Sequence, residues 1–526
     1  MVLTKLNPTP WWHTRAFALL ATVTALVVPA LFFLPQQSLW VDETTQLSGL
    51  TLGPFKVVEW LAGGKNTFDV PADRMPPLSY WVGMAWAYVF GLDQRSMRWL
   101  AVMLVGLAAA VVAETGRRAF GRGPGLVAGL LFALSPNIIE EAVNMRAYPL
   151  FLLTSSCAFY CFIRLLEDTQ NPSRKWIAGM AACSVLAMYS HFYGVVLAGS
   201  LWMALLILVL WHRGRSRPVW LAMLVVVVSA LGLIPFLRAS VAMSGDETSR
   251  SYIYSVVRLF YRLFAHPAMA VSTIMVCAAA LGSAILVACL LLSRKLPSPA
   301  LGIFVALAAG IVTVVATGVV VRTFGSTSQE YNIWMIPGFC LLLAAGFAKS
   351  PEKLRPMSTA AVVLLLAANA YGAGQLMLNG TYFSHVRYPD LESMIKKLGP
   401  NQVAVIHDGG SSAWGGGYFP TLYTFGEAVP QYVYSQEASP AVRVRNLPSR
   451  DTLVDPTSIN RRYLLVVRSC NQSASEIATQ IHYGDKALGD GPVAQEIAAS
   501  SRWRTVEHKL LIAFIAMDID VFERAD

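Results

Sequence analysis

The sequence predicts a polytopic α-helical membrane protein of about eleven transmembrane helices, with juxtamembrane helices on the outer face and a small C-terminal α/β domain. Three observations predict it. Of 526 residues, 55% are hydrophobic and 14% charged, and the mean hydropathy is +0.51, whereas soluble domains carry about 25% charged residues. Apolar runs long enough to cross a bilayer recur from residue 15 to residue 377. Beyond residue 378 the chain becomes polar and mixed. This pattern excludes a disordered chain, a coiled coil and a soluble enzyme on a single anchor.

The runs lie at 15–35, 97–114, 124–139, 147–166, 176–191, 194–211, 219–238, 266–292, 299–321, 332–348 and 357–377. The first, from Ala16 to Leu34, is longer than a signal-peptide core and has no small-residue cleavage site, so it is expected to remain as a span. Basic clusters at Arg117-Arg118…Arg122, Arg164…Arg174-Lys175, Arg213…Arg215…Arg217, Arg294-Lys295 and Lys349…Lys353…Arg355 belong in the cytoplasm. Eleven spans, with Lys5 and Arg15 also inside, place all five clusters there. A twelfth apolar stretch, Pro76 to Leu92, would turn every cluster outward if it spanned. It is therefore expected to lie on the outer face, anchored by Tyr80, Trp81, Trp86 and Tyr88.

The net charge of +10 and pI near 9.2 are thus mainly a topology signal. No basic run with interleaved aromatics is present, so no nucleic-acid partner is expected. Two regions result: a membrane module, 1–378, whose long outer loop covers 36–96, and an extracytoplasmic α/β domain, 379–526. In the latter, Leu391–Leu398 has helical spacing, and Val403–Ile406, Leu464–Val467 and the alternating Leu510–Phe522 have strand spacing. Six of the seven cysteines sit in apolar runs and there is no CxxC or Cys/His cluster, so neither a disulfide framework nor a zinc site is expected.

Chemistry-bearing residues gather at the outer ends of the spans. Asp42-Glu43 follows the first span, and a carboxylate beside low-dielectric surroundings can act as a general base. Taken alone, the pair fits a helix N-terminus equally well, where acids complement the dipole. Its company matters more. Asp73-Arg74-Met75-Pro76-Pro77-Leu78 closes the same loop, and Arg98 opens the second span. Glu140-Glu141…Arg146-Ala147-Tyr148 lies between the third and fourth spans, and His191-Phe192-Tyr193-Gly194 between the fifth and sixth. Charges at bilayer depth cost about 2.5–3.5 kcal/mol on insertion scales, so they find partners or serve a function. Arg146 has Glu140 and Glu141 as possible partners nearby in sequence.

This set resembles the GT-C glycosyltransferases over about residues 15–240, and within them the bacterial relatives of protein O-mannosyltransferases and the lipid A aminoarabinose transferase. The outward Asp-Glu, the Pro-Pro-Leu helix, the Arg-led span, Arg-x-Tyr and the His-Phe-Tyr-Gly turn carry the likeness. The resemblance implies a polyprenyl-phosphate-linked sugar as donor and an inverting transfer to an acceptor hydroxyl of a glycolipid such as lipid A, a polysaccharide or a protein. It implies a multi-pass location in a bacterial inner membrane, with the site facing the periplasm. Asp42 would be the catalytic base and Glu43 would orient base or acceptor. Arg74, Arg98 and Arg146, with Lys65 and Arg262 behind them, would hold the donor phosphate, for which arginine's bidentate geometry is suited. Glu141, Tyr148, His191 and Tyr193 would line the substrate site. One departure stands out: aminoarabinose transferases carry Lys before the double proline and protein O-mannosyltransferases His, where this chain has Met75.

No cofactor is assigned. A divalent metal stays an alternative, with one histidine, His191, being too small a donor set. A Gly-rich run, His407 to Gly417 with Trp414, follows a strand without the order of a nucleotide-binding loop. Asp246-Glu247, Tyr252, Tyr254 and Tyr261 stand where they could shape a donor site or form an interfacial belt. Asn379-Gly380-Thr381 is a formal glycosylation sequon. The competing classes are a flippase for a lipid-linked sugar, which would need ionisable residues at mid-membrane, and a polysaccharide ligase, which would use a polymer donor.

Overall fold

The computed structural model describes residues 15–34, 37, 39, 41–64, 73–214, 216–242, 257, 259, 263, 269, 272–293, 298–321, 330–379, 388–408, 418–434, 442–444, 452–470, 491–511 and 516–525. Lys65, Arg262, the sequence-predicted donor-loop residues Asp246, Glu247, Tyr252, Tyr254 and Tyr261, and the loop holding Trp414 lie outside the described residues. The chain divides into two compact units. One holds Met1–Leu34, Leu52–Gly64 and Ala72–Leu378; the other holds Pro35–Thr51, Lys65–Pro71 and Asn379–Asp526.

The first unit contains α1 (Arg15–Phe33), and the second holds the isolated α2 (Val41–Leu50). The first continues with α3 (Lys56–Leu61), α4 (Leu78–Phe90), α5 (Gln94–Phe120), α6 (Arg122–Ala133), α7 (Pro136–Ala142), α8 (Tyr148–Leu166), α9 (Arg174–Ser190) and α10 (Gly194–Trp211). It is completed by α11 (Arg217–Leu231), α12 (Ile234–Ala242), α13 (Thr273–Leu291), α14 (Ser298–Val321), α15 (Met335–Ala348) and α16 (Arg355–Asn379). Every apolar run of the sequence falls on one of these helices or on a bent pair. Among the described residues, seven helices are long and apolar enough to cross a membrane, and the pairs α6–α7 and α11–α12, bent by 64° and 48°, bring the total to 9 if each pair is one span. Both bends fall at prolines, Pro136 and Pro235, whose missing N–H breaks the helical ladder. The protein is a multi-pass membrane protein. Lipid accounts for the apolar side chains left on its outside, such as Trp220, Leu224, Val228 and Leu231 along α11.

Helix α4 has 13 residues, about 20 Å, too short to cross, in keeping with a juxtamembrane helix. Trp81 and Tyr88 are exposed on it, as anchors should be. Tyr80 is not: it is fully buried and its hydroxyl donates to Asp73 Oδ2 at 2.6 Å, so it belongs to the polar interior and not to the interface. Helix α5 is the central strut, packing on α1, α6 and α8. At its C-terminal end Glu114 accepts from Arg117 at 2.7 Å and from Arg15 at 3.1 Å, so α1 and α5 run antiparallel with the basic cluster at that end.

The second unit is built on a seven-stranded sheet of order β4-β3-β2-β1-β5-β7-β6. Its strands are β1 (Val403–Asp408), β2 (Gln431–Tyr434), β3 (Val442–Val444), β4 (Thr452–Val454), β5 (Tyr463–Cys470), β6 (Trp503–Leu511) and β7 (Ala516–Arg524). β1 pairs in parallel with β2 and β5, and the other pairings are antiparallel. Strands of period two give the sheet two apolar faces. One packs Val403, Val405, Leu465, Val467, Ile519 and Val521 against α17 (Tyr388–Leu398); the other packs Ile406, Val466 and Phe522 against α19 (Pro492–Ala499). Between them in sequence is α18 (Tyr418–Phe425), on which α2 packs. That contact puts the acidic helix with the second unit, where the sequence reading kept the whole 36–96 loop with the membrane module.

His407 gives this domain a pH dependence. It is fully buried, bonds Gln431 Oε1 through Nε2 at 2.7 Å, and burial pushes its imidazole down to about 4. The unfolded chain takes up this proton near the ordinary value of about 6.5, so between those values the unfolded state binds more protons. The stabilisation is complete above about 6.5 and is lost as pH falls toward 4, by about 2 kcal/mol at pH 5. Asp408 and Asp518, raised by burial, act with the opposite sign in acid. Hydrogen exchange of the β1 amides at pH 7 and pH 5 should therefore show a steeper acid loss in the wild type than in His407→Asn; equal slopes would rule out the histidine as the source.

Candidate active site

The site is assembled in the first unit, at the end of α5 opposite the Arg15–Glu114–Arg117 cluster. Its centre is the turn between α7 and α8, residues 143–147. Asn144 organises that turn: its Nδ2 donates to Glu141 Oε2 at 2.9 Å and its Oδ1 accepts the Arg146 backbone N–H at 3.1 Å, an Asx-turn geometry. From the first turns of α5, the fully buried Arg98 donates through Nη1 to the Val143 carbonyl. A guanidinium spent on a backbone carbonyl fixes where the loop sits.

Arg146 then projects toward Asp73, with Nη1 donating to Oδ2 at 2.8 Å and both side chains 4% exposed. The partner the structure gives it is thus across the fold rather than next to it in sequence, while Glu140 and Glu141 are also buried. Tyr80 shares the same Asp73 oxygen, and its ring meets Trp60 edge-on at 5.9 Å. Asp73 is in this way held by the loop that follows α3, by α4 and by the α7–α8 turn together.

Beside this pair lies an aromatic enclosure around His191, which caps α9. The ring stacks on Phe151 at 5.0 Å, with Tyr148 at 5.5 Å, Tyr193 at 5.7 Å and Tyr331 at 5.4 Å. His191 Nδ1 accepts the Tyr193 N–H at 3.2 Å, so the neutral ring carries its proton on Nε2. The turn closes so tightly that a Cβ on Gly194 would fall 2.4 Å from the Ala187 backbone, which explains the glycine of the His-Phe-Tyr-Gly motif. Met75 is buried against Ala147, Tyr148 and Tyr331. An apolar thioether therefore stands immediately before the double proline, Pro76-Pro77.

The structure brings Glu141, Arg146, Tyr148, His191 and Tyr193 into one cluster, with Arg98 holding its loop from behind. Arg74 is exposed beside it in sequence. Asp42 and Glu43 belong to the other unit, in the first turn of α2, where Asp42 is half-buried and Glu43 fully buried. Sequence reading missed Asp73 as the partner of Arg146, and also Tyr80, Phe151 and Tyr331. The one available signal for Tyr331 was the polar and aromatic opening of the tenth run, Glu330-Tyr331-Asn332. Among the described residues, the first unit offers no group of three His, Cys, Asp or Glu side chains close enough for a metal ion.

Residues 74–237 match the family model for dolichyl-phosphate-mannose-protein mannosyltransferase, a stretch that contains all of this site except Trp60, Asp73 and Tyr331. The crystal structure of ArnT from Cupriavidus metallidurans in the apo state aligns over 96% of this chain and 98% of its own, at 13% identity and a TM-score of 0.53. The same protein bound to undecaprenyl phosphate aligns over the same shares, at 14% identity and a TM-score of 0.50. The chain has the GT-C glycosyltransferase fold. A partial likeness extends to the Saccharomyces cerevisiae protein O-mannosyltransferase Pmt1-Pmt2 complex bound to the sugar donor. It covers 43% of this chain and 32% of that one, at 15% identity and a TM-score of 0.31. No curated protein sequence matches. The matched segment holds Arg98, Glu140, Glu141 and Arg146, so the part of the sequence most like a mannosyltransferase is also where the membrane unit buries most of this charge.

Proposed function

We propose that the protein is an inverting glycosyltransferase that moves a sugar from a polyprenyl-phosphate donor to an acceptor hydroxyl on the periplasmic face of a bacterial inner membrane. The observation that carries this reading is the buried Asp73–Arg146 pair at one end of an otherwise apolar helix bundle, with Arg146 inside the segment that matches the mannosyltransferase family and Asp73 immediately before it. Two charges kept out of water at that depth need a function to justify their desolvation.

In the reaction, the acceptor O–H loses its proton to Asp42 and its oxygen attacks the anomeric carbon. The bond from that carbon to the phosphate oxygen breaks, and polyprenyl phosphate leaves with the electron pair. Glu43 orients Asp42 or the acceptor. Arg146, already the cation of the cluster, stabilises the negative charge that grows on the leaving phosphate. Arg74 and, by sequence, Lys65 and Arg262 are further phosphate ligands. Arg98 acts through the 143–147 turn as a positioning residue. Glu141, Tyr148, His191 and Tyr193 line the donor sugar, with the rings giving a flat apolar surface and His191 Nε2–H a donor. Charges in the described spans sit at helix ends, so a flippase path at mid-membrane finds no support.

The purified protein in proteoliposomes should transfer labelled sugar from a polyprenyl-phosphate monosaccharide. Mass spectrometry of lipids, glycans and proteins from a deletion strain should show one monosaccharide missing, which identifies acceptor and donor together. An unchanged inventory, with no transfer from any monosaccharide donor, would refute the reading; turnover only with a pyrophosphate-linked polymer would point to a ligase.

A further inference from the structure

Sequence spacing gave no metal site, yet the sheet of the second unit builds a cluster that sugar transfer does not use. The β6–β7 register sets His508 opposite Asp520 and Leu510 opposite Asp518, while β5–β7 sets Arg468 opposite Asp518. Directly opposed residues share a sheet face, so His508, Asp518, Asp520 and Arg468 stand together on the face that carries α19. One ligand atom from each of His508, Asp518 and Asp520 lies within 4.8 Å of the other two.

The geometry within the cluster is specific. His508 Nδ1 lies 2.7 Å from Asp520 Oδ1, and Nε2 lies 3.2 Å from Asp518 Oδ1. Arg468 Nη2 donates to the other Asp518 oxygen, Oδ2, at 3.2 Å. Asp518 is 3% exposed, and its Oδ1 is buried without a hydrogen bond. If Asp520 takes the Nδ1–H, Nε2 and that same oxygen face each other as two acceptors. Two lone pairs at 3.2 Å repel unless a positive centre lies between them. Two ligand atoms about 2.0 Å from a tetrahedral cation stand about 3.3 Å apart. The observed separation matches that spacing.

Charge balance agrees. A Cβ on Gly491 would meet Asp408 Oδ2 at 2.2 Å and Arg468 Nη1 at 3.0 Å, so a further buried carboxylate, its Oδ2 also without a hydrogen bond, flanks the same guanidinium. The carboxylates of Asp408, Asp518 and Asp520 thus gather around the Arg468 guanidinium and the His508 ring, a concentration of negative charge that suits a divalent cation. We propose that His508 Nε2 and Asp518 Oδ1 bind a divalent cation of the zinc class, with Asp520 orienting the imidazole through Nδ1 and water completing the coordination. None of its ligands takes part in the proposed sugar transfer, so the site stands or falls independently of that reading.

The test uses the full-length protein in detergent, stripped of metal and titrated with zinc chloride by calorimetry and with cobalt(II) by visible absorption. The wild type should bind one equivalent more than His508→Ala or Asp518→Asn, with a tetrahedral cobalt band absent from both variants. Asp520→Asn should weaken that equivalent by about 10–100-fold without removing it. The His508 side chain is 55% exposed, so His508→Ala should elute from size exclusion as the wild type does, and it decides the matter if Asp518→Asn fails to fold. Equal stoichiometry and affinity in wild type and His508→Ala would overturn the proposal and leave His508 as a protonated bridge between two carboxylates.

Discussion

Replacing Asp42 with Asn should lower sugar transfer by about 10²–10⁴-fold, the usual contribution of a positioned general base, while the protein stays folded. The substitution is nearly isosteric and removes the negative charge together with the capacity to accept a proton. Asp42 is half-buried in the first turn of α2, where a helix N-terminus favours an ionised carboxylate, and an ionised carboxylate is the form a base requires. Loss of that helix-end charge costs about 0.3–1 kcal/mol, too little to unfold the unit. Glu43, one residue on and fully buried, serves as the contrast. Glu43→Gln should reduce transfer less than Asp42→Asn if it orients rather than accepts the proton. The readout is the initial rate of labelled-sugar transfer at saturating donor, beside donor binding measured on the same preparation. Asp42→Asn should bind donor normally and turn it over slowly. Wild-type turnover in that variant would remove Asp42 from the chemistry.

The parts of this molecule that were legible in the sequence are those written in local patterns. Hydropathy is summed over neighbouring residues, so each apolar run from Ala16 onward became a helix or a bent pair, and the bends fell at Pro136 and Pro235. Charge parity handled Pro76–Leu92, which the sequence alone could equally have sent across the bilayer. Strands with a continuous apolar run, β1 and β5, or with alternation, β7, were visible; the three-residue β3 and β4 were too short to show a period. Long-range pairing was not legible. Asp73 and Arg146 are 73 positions apart, and nothing local to either distinguishes a buried partner from the nearer Glu140 and Glu141. The same holds for His508 and Asp518, which only the antiparallel register brings together. Tyr80 shows the limit of composition: an aromatic in an amphipathic segment looks like an interfacial anchor until its hydroxyl is seen to have a buried carboxylate to bond.

The Asp73–Arg146 pair offers a way to separate what holds the site together from what acts in it. Arg146→Met should destabilise the membrane unit by about 3–5 kcal/mol, because it leaves the Asp73 carboxylate buried with the Tyr80 hydroxyl but without its cation. Asp73→Asn should cost less, since the amide oxygen still accepts from both Tyr80 and Arg146. The informative variant is the double one, Asp73→Leu with Arg146→Met, which removes both charges and fills similar volume. Apolar replacement of a buried ion pair is often neutral or stabilising, so the double variant should recover most of the thermal stability that Arg146→Met loses. It should not recover transfer. A site that needs a cation beside the leaving phosphate loses that stabilisation in both variants, while Asp73→Asn keeps the guanidinium and should retain part of the rate. The measurements are detergent melting temperature and transfer rate for the wild type, Arg146→Met, Asp73→Leu and the double variant, the four corners of the cycle, with Asp73→Asn beside them. Recovery of both together in the double variant would make the pair a purely structural strut and shift the phosphate role to Arg74 and its neighbours. Recovery of stability alone assigns Arg146 to the reaction, with Asp73 as the group that holds its guanidinium in place.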